Sequence, residues 1–232
     1  MQTPVLAFDV YGTLVDTRGV VTSLKSRIGQ DAVAFVNRWR DKQYEFAFRR
    51  SLMGAYVDFL QIKREALDLV DQERGTRLGE EFKQSLMATY RRLPAFDDVA
   101  GALERFRGLG MRCVAFSNDS RQSVEALFDH AGLTASFEDI ISVEEVRRFK
   151  PDAVVYAHLR QRTHSRPDST WLISCNRFDI VGARHAGLRA AWIQRDPTTL
   201  FEPWGDPPNK MAPDLEALAV QFQTTLKREG KL

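Results

Sequence analysis

The feature that most constrains this chain is an alternation of apolar runs with helix-like stretches. "PVLAFDV" (4–10), "MRCVAFSND" (111–119) and "TWLISCN" (170–176) are rich in β-branched and aromatic residues, and each ends in small or polar residues. "EDIIS" (138–142) and "RAAWIQ" (189–194) are shorter runs of the same kind. Helical patterns follow at Val99–Leu109, Ser120–Ala131, Ala153–Arg162 and Phe178–Ala186, with Gly110, Gly132 and Gly187 placed as helix stops. Strands that alternate with helices of this length predict an α/β fold, a parallel sheet covered on both faces.

The alternation breaks between residues 17 and 97. "VAFVNRWRDKQYEFAFRRSLM" and "GEEFKQSLMATYRRL" place apolar residues at i, i+3, i+4 and i+7, with no strand between them. The expected organisation is a sheet-forming core of residues 1–16 and 97–232, with residues 17–96 as an all-helical insertion after the first strand. "LPAFDDV" (93–99) has the turn chemistry of a re-entry point. "RDPTTLFEPWGDPPNK" (195–210) reads as a proline-rich loop, and "APDLEALAVQFQTTLKREG" as a closing helix.

Composition narrows the setting. Lys and Arg total 33 against 31 Asp and Glu, net +2, a balance that argues against nucleic acid or an anionic membrane as partner. No apolar run has the length of a membrane span. The two cysteines, Cys113 and Cys175, lie in apolar runs and read as buried thiols in a reducing cytoplasm.

In an open α/β sheet, ligands bind beyond the carboxyl ends of the strands. Polar groups gather at those ends: Asp9, then Ser117 and Asn118, then Lys150 in "RFKPD", then Ser174, Asn176 and Asp179 in "SCNRFD". Singly, each has an ordinary explanation as a turn former, helix cap or solvated charge. Together they put acid, hydroxyl, amide, ammonium and acid at successive strand ends, the makings of a site.

"FDVYGTLVD", "FSND", "FKP" and "SCNRFD", in that order, resemble the haloacid dehalogenase superfamily. "WRDKQYEFAFRRSLMGAYVDF" (39–59) and the S-x-N-x-F-D spacing at 174–179 resemble its L-2-haloacid dehalogenase subfamily. The resemblance implies a Rossmann-like core with a mobile helical cap and an aspartate nucleophile, Asp9. Most superfamily members are phosphatases or phosphomutases that hold Mg²⁺ and carry a second Asp two residues after the nucleophile; here that position is Tyr11. A halide departs as a weakly basic anion and needs polar groups to receive it rather than a proton donor. Tyr11 therefore fits carbon–halogen cleavage, without metal or cofactor, better than phosphoryl transfer. A Mg²⁺-dependent phosphatase and a catalytically silent binding homologue are the alternatives.

The resemblance assigns roles to the remaining residues. Arg40 from the cap, Asn118 and Phe178 would receive the halide. Ser117 and the backbone N–H groups of Tyr11 and Gly12 would hold the substrate carboxylate. Thr13 would fix the Asp9 rotamer, Lys150 would pair with Asp9 and Asp179, and Tyr156 would join that network. Asp179, aided by Ser174 and Asn176, would orient or activate the hydrolytic water. Tyr44, Met53 and Phe59 would line an apolar pocket. Asp119 and Arg121 stand where members commonly have Gly and a less charged residue, close to these sites. A small 2-haloacid as the substrate and a homodimer complete what the resemblance implies, and the cytoplasmic setting expected from the cysteines accords with it.

Overall fold

The structure, a computed structural model, describes residues 3–230. Strand β1 (Val5–Phe8) lies at the centre of a six-stranded sheet with β2 (Arg112–Ser117), β3 (Asp139–Ser142), β4 (Thr170–Ser174), β5 (Arg189–Ile193) and β6 (Lys210–Ala212), in the order β3-β2-β1-β4-β5-β6. All the pairings are parallel. The five expected strands form, each one to three residues shorter than its apolar run. The sixth, β6, falls where the sequence indicates no strand, across the end of the proline-rich loop (Lys210) and the start of the closing helix segment (Ala212). Its three residues have no apolar run of their own and are held by pairing with β5.

β1 is apolar at every position because both its faces are covered. Leu6 and Phe8 join one hydrophobic cluster, Val5 and Ala7 the other, as the period of two requires. Helices α5 (Val99–Gly108), α6 (Arg121–Ala131), α7 (Ala153–Thr163), α8 (Arg177–His185) and α9 (Leu215–Arg228) cover the sheet. Gly110, Gly132 and Gly187 sit at positive φ just beyond helices, where a left-handed residue ends the turn.

Between β1 and α5 the chain is helical: α1 (Arg18–Ile28), α2 (Ala32–Met53), α3 (Phe59–Arg74) and α4 (Glu80–Thr89), with short 3₁₀ turns. Phe35 and Trp39 of α2 and Ala66, Leu67 and Val70 of α3 belong to the same buried cluster as Leu6, Phe8 and Leu103. The insertion thus shares one continuous buried cluster with residues of the sheet and its covering helices. Among the described residues, no helix is long and apolar enough to cross a membrane.

Candidate active site

Register brings the polar strand ends together. Phe8 pairs with Ala115 on one side and Ile173 on the other, so Asp9, Ser117 and Ser174 emerge at the same end of the sheet. The Asp9 N–H still donates to the Ile173 carbonyl at 2.9 Å, which extends the ladder one residue and fixes where the carboxylate starts.

Three donors converge on one Asp9 oxygen. Oδ2 accepts from Thr13 Oγ1 at 2.9 Å, Asn176 Nδ2 at 2.8 Å and Ser174 Oγ at 3.2 Å. Among the described residues, Oδ1 accepts one hydrogen bond, from Lys150 Nζ at 3.3 Å. Thr13 is itself anchored, its Oγ1 accepting from the Cys175 N–H at 2.9 Å. Ser174 and Asn176 therefore serve Asp9. They were expected to aid Asp179; instead they leave β4 beside β1, and their side-chain donors meet the Asp9 carboxylate.

Asp179 lies in the first turn of α8 and is fully buried. Its Oδ2 accepts from Lys150 Nζ and its Oδ1 from Tyr156 Oη, both at 2.8 Å. Lys150 Nζ also donates to the Phe116 carbonyl at 2.8 Å, so the ammonium stands between two carboxylates and a main-chain oxygen. Burial pushes the Asp179 carboxyl up to about 6; the Asp9 charge adds to this, while Lys150 pulls it down. For Lys150, burial acts downward, but the two carboxylates outweigh it and its pKa ends raised. Burial, then the Asp179 charge, holds the Tyr156 phenol well above its ordinary value, so it stays a donor.

Two glycines make room for this geometry. A Cβ on Gly182, inside α8, would come within 2.5 Å of Tyr156 Oη, so only glycine lets the phenol reach Asp179. Glycine inside a helix costs roughly 1 kcal/mol relative to alanine, which marks such positions in a sequence. At Gly12, where φ is +80°, a Cβ would lie 3.3 Å from Arg40 Nη2 and 3.1 Å from Cys175 Sγ. The Gly12 N–H donates to the Val15 carbonyl at 2.9 Å. Here it closes a turn, so the expected role of this amide in holding a carboxylate is corrected.

The insertion supplies the roof. Arg40 projects from α2 and its Nη2 donates to Asn176 Oδ1 at 2.7 Å, so Asn176 links the guanidinium to Asp9. Asn118 Oδ1 accepts from the Lys150 N–H at 3.0 Å. Arg40, Asn118 and Phe178 line one pocket with Asp9, Tyr11, Ser117 and Lys150. The Phe178 ring packs 4.8 Å from that of Tyr44 and 5.1 Å from that of Phe48. Tyr44 and Phe59 line the pocket as expected, whereas Met53, the last residue of α2, is 70% exposed and does not. Cys113 is buried in β2, but Cys175 lies past the end of β4, only partly buried and near Arg40.

Residues 3–187 match the family described as hydrolase, haloacid dehalogenase-like hydrolase. The chain belongs to the haloacid dehalogenase-like hydrolases. Within them it falls in the L-2-haloacid dehalogenase group. It is 33% identical over 226 residues, 97% of each chain, to the (S)-2-haloacid dehalogenase of Pseudomonas sp. (strain YL). To haloacetate dehalogenase H-2 of Moraxella sp. (strain B) it is 31% identical, over 92% of this chain and 95% of the relative. Among solved structures, the L-2-haloacid dehalogenase of Xanthobacter autotrophicus with chloropropionic acid covalently bound superposes with a TM-score of 0.89. That match has 27% identity and covers 96% of this chain and 99% of the other.

Thr17, Val36, Gln43, Lys63 and Tyr90 of this hydrolase also line the pocket, and the sequence alone did not single them out. Lys63 of α3 is 2% exposed and pairs at 2.5 Å with Asp119, also 2% exposed, just beyond β2. A signal existed: α3 buries Phe59, Ile62, Ala66, Leu67 and Val70, and Lys63 falls on that stripe, four residues from both Phe59 and Leu67. A lysine on the apolar face of a helix needs a partner, and the unusual Asp119 is that partner. Arg121 points elsewhere, its Nη1 donating to Asp139 Oδ1 at 2.8 Å at the start of the edge strand, outside the pocket lining.

Proposed function

We propose that this hydrolase cleaves the carbon–halogen bond of short (S)-2-haloalkanoic acids or haloacetates, giving 2-hydroxy acids with inversion. The observation that carries it is the asymmetric hold on Asp9. Oδ2 is saturated by Thr13, Ser174 and Asn176, while Oδ1, which among the described residues accepts a single 3.3 Å hydrogen bond from Lys150, is left to attack. Oδ1 displaces halide at C2 from the opposite side, forming a C–O bond as the C–X pair leaves with the halide. Arg40, Asn118 and Phe178 receive the anion, and Ser117 faces the substrate carboxylate. Tyr11 lines the pocket where a second acid would serve a basic leaving group.

A water then attacks Cγ of Asp9 and gives up a proton. The ester C–O bond breaks, and the departing hydroxy-acid oxygen takes a proton. Asp179 is the base for that water, held in place by Lys150 and Tyr156. Arg40 comes from the cap (17–96) and Asp9 from the core (1–16 and 97–232), so the site is complete only when the two are packed together, which also excludes bulk water. The reading includes a cytoplasmic homodimer, to be checked by size-exclusion chromatography and light scattering.

The test is chloride release from the two enantiomers of 2-chloropropionate, with the configuration of the lactate formed. Turnover of the (S) form to (R)-lactate, and its abolition in Asp9→Asn, are expected. Arg40→Ala should lose about 10²–10³-fold if it steadies the halide as strongly as an oxyanion-hole donor does its anion. Phosphate release from p-nitrophenyl phosphate that EDTA abolishes, with no chloride from either enantiomer, would replace the reading with a metal-dependent phosphatase.

A further inference from the structure

The pocket has two polar walls, one on each side of Asp9. The sheet order sets β4 and β2 on opposite flanks of β1. Beyond β4, Asn176 holds Arg40. Beyond β2, Asp119 holds Lys63, and Asp119 Oδ2 also accepts from Tyr11 Oη at 2.8 Å. The proposed chemistry uses the first wall and leaves the second without a part in bond making or breaking.

Stability does not account for the second wall. A buried ion pair gains little over apolar side chains of the same volume, because both ions lose their hydration. The surroundings of Lys63 would also suit an apolar chain. Its ammonium lies 4.5 Å from the Tyr11 ring centre, 4.7 Å from that of Tyr90 and 5.3 Å from that of Phe59. Of the three N–H groups on Nζ, Asp119 takes one; the rings provide π-faces for the ammonium and no oxygen acceptor.

We infer that Lys63 and Asp119 are specificity-determining residues that select 2-halo acids whose C2 substituent is hydrogen or carries an oxygen over those with an alkyl substituent. The inference rests on the dehalogenase reading. An alkyl group pressed against the pair strips its residual hydration and returns no hydrogen bond. A hydroxyl in the same place accepts from a spare Lys63 N–H. Ordinary apolar pockets discriminate weakly against an added hydroxyl; a wall with a buried donor discriminates strongly against its absence.

The experiment uses two substrates of the same size, (S)-2-chloro-3-hydroxypropionate and (S)-2-chlorobutyrate, which differ by hydroxyl against methyl. Chloride release gives kcat/KM for each, with chloroacetate as a common reference. The wild-type enzyme should favour the hydroxylated acid by at least about 10-fold. In the double variant K63M/D119N, which keeps both volumes and strands no charge, that ratio should fall at least about 10-fold, toward or past unity. K63R, which keeps the charge, should retain it. Because each ratio is taken on one protein, a general loss of activity cancels, and the wild-type ratio requires no variant to fold. A wild-type preference for chlorobutyrate, or a ratio that K63M/D119N leaves within about twofold, overturns the inference alone. No chloride from any of the three acids with wild-type enzyme overturns the dehalogenase reading and the inference with it.

Discussion

Two buried lysines line the same pocket, and their charges are balanced in different ways. Lys150 meets oxygen on three sides: Asp9, Asp179 and the Phe116 carbonyl. All of these belong to the sheet and its helices, so the ammonium ties together groups that already share a rigid frame. Lys63 meets one carboxylate, Asp119, and otherwise aromatic faces. It reaches from the inserted helix α3 to the loop after β2, and Trp39 Nε1 steadies it by donating to the Lys63 carbonyl at 2.8 Å. The first lysine balances the two carboxylates that the proposed reaction uses; the second joins two parts of the chain at the pocket wall.

The largest effect should come from Lys150→Met. It leaves two carboxylates in one buried site with no counter-ion, and breaking such an arrangement costs about 3–5 kcal/mol of stability. Halide release should fall at least about 10³-fold, since Asp9 loses the contact on its attacking oxygen and Asp179 its orienting partner. Lys63→Met leaves Asp119 with the Tyr11 hydroxyl and the Ser120 N–H, the latter at 3.1 Å, so a smaller loss of turnover is expected. Denaturant unfolding and chloride release measured on both variants separate the two lysines. Equal losses of turnover would erase the distinction.

The Lys150 cluster also carries the pH dependence. Asp179 accepts a proton only when ionised, and burial, helped by the Asp9 charge, holds its carboxyl up at about 6. Turnover should therefore fall about tenfold per pH unit below that value. Stability moves the other way. A raised native pKa means that the native state binds more protons than the unfolded chain between the ordinary carboxyl range and about 6. The stability this group contributes is present below that window and lost as pH rises through it. Tyr156→Phe removes a donor to the ionised form and should move the acid limb of kcat to higher pH. A kcat profile flat down to about pH 5 would remove Asp179 as the base.

Much of this was legible in the sequence, for identifiable reasons. Parallel strands are buried on both faces, so β1, β2 and β4 announce themselves as apolar runs; β6 does not, because its pairing with β5 rather than its composition holds it in place. The acids and amides at strand ends were legible because register fixes which end they share. Which carboxylate Ser174 and Asn176 serve was not, since that depends on the sideways spacing of β1 and β4 against the depth of α8. Gly12 could be placed near the site, but whether its N–H faces a ligand or closes a turn is a matter of local dihedrals. Lys63 is the clearest case. Its place on the α3 stripe was visible, yet its partner lies 56 residues away, and only packing α3 over the β2 end joins them.

The smallest effect sharpens the second half of the comparison. Tyr11 approaches Asp119 with its hydroxyl and Lys63 with its ring. Tyr11→Phe keeps the ring beneath the ammonium and removes only the donor, so Asp119 retains its ion pair and loses one of its hydrogen bonds. A lost hydrogen bond to a buried carboxylate should lower unfolding stability by about 1–3 kcal/mol. Burial, then the Asp119 charge, holds the phenol well above its ordinary pKa, so this loss should not vary with pH across the neutral range. The two substitutions share one acceptor oxygen, so their effects should not add: with Lys63 already replaced by Met, Asp119 leans on the tyrosine, and losing it should cost more than it does in the wild type. Strict additivity in a cycle of Tyr11→Phe and Lys63→Met, read by denaturant unfolding, would mean that the carboxylate does not couple them. Lys63 would then be held by its aromatic surroundings rather than by its ion pair.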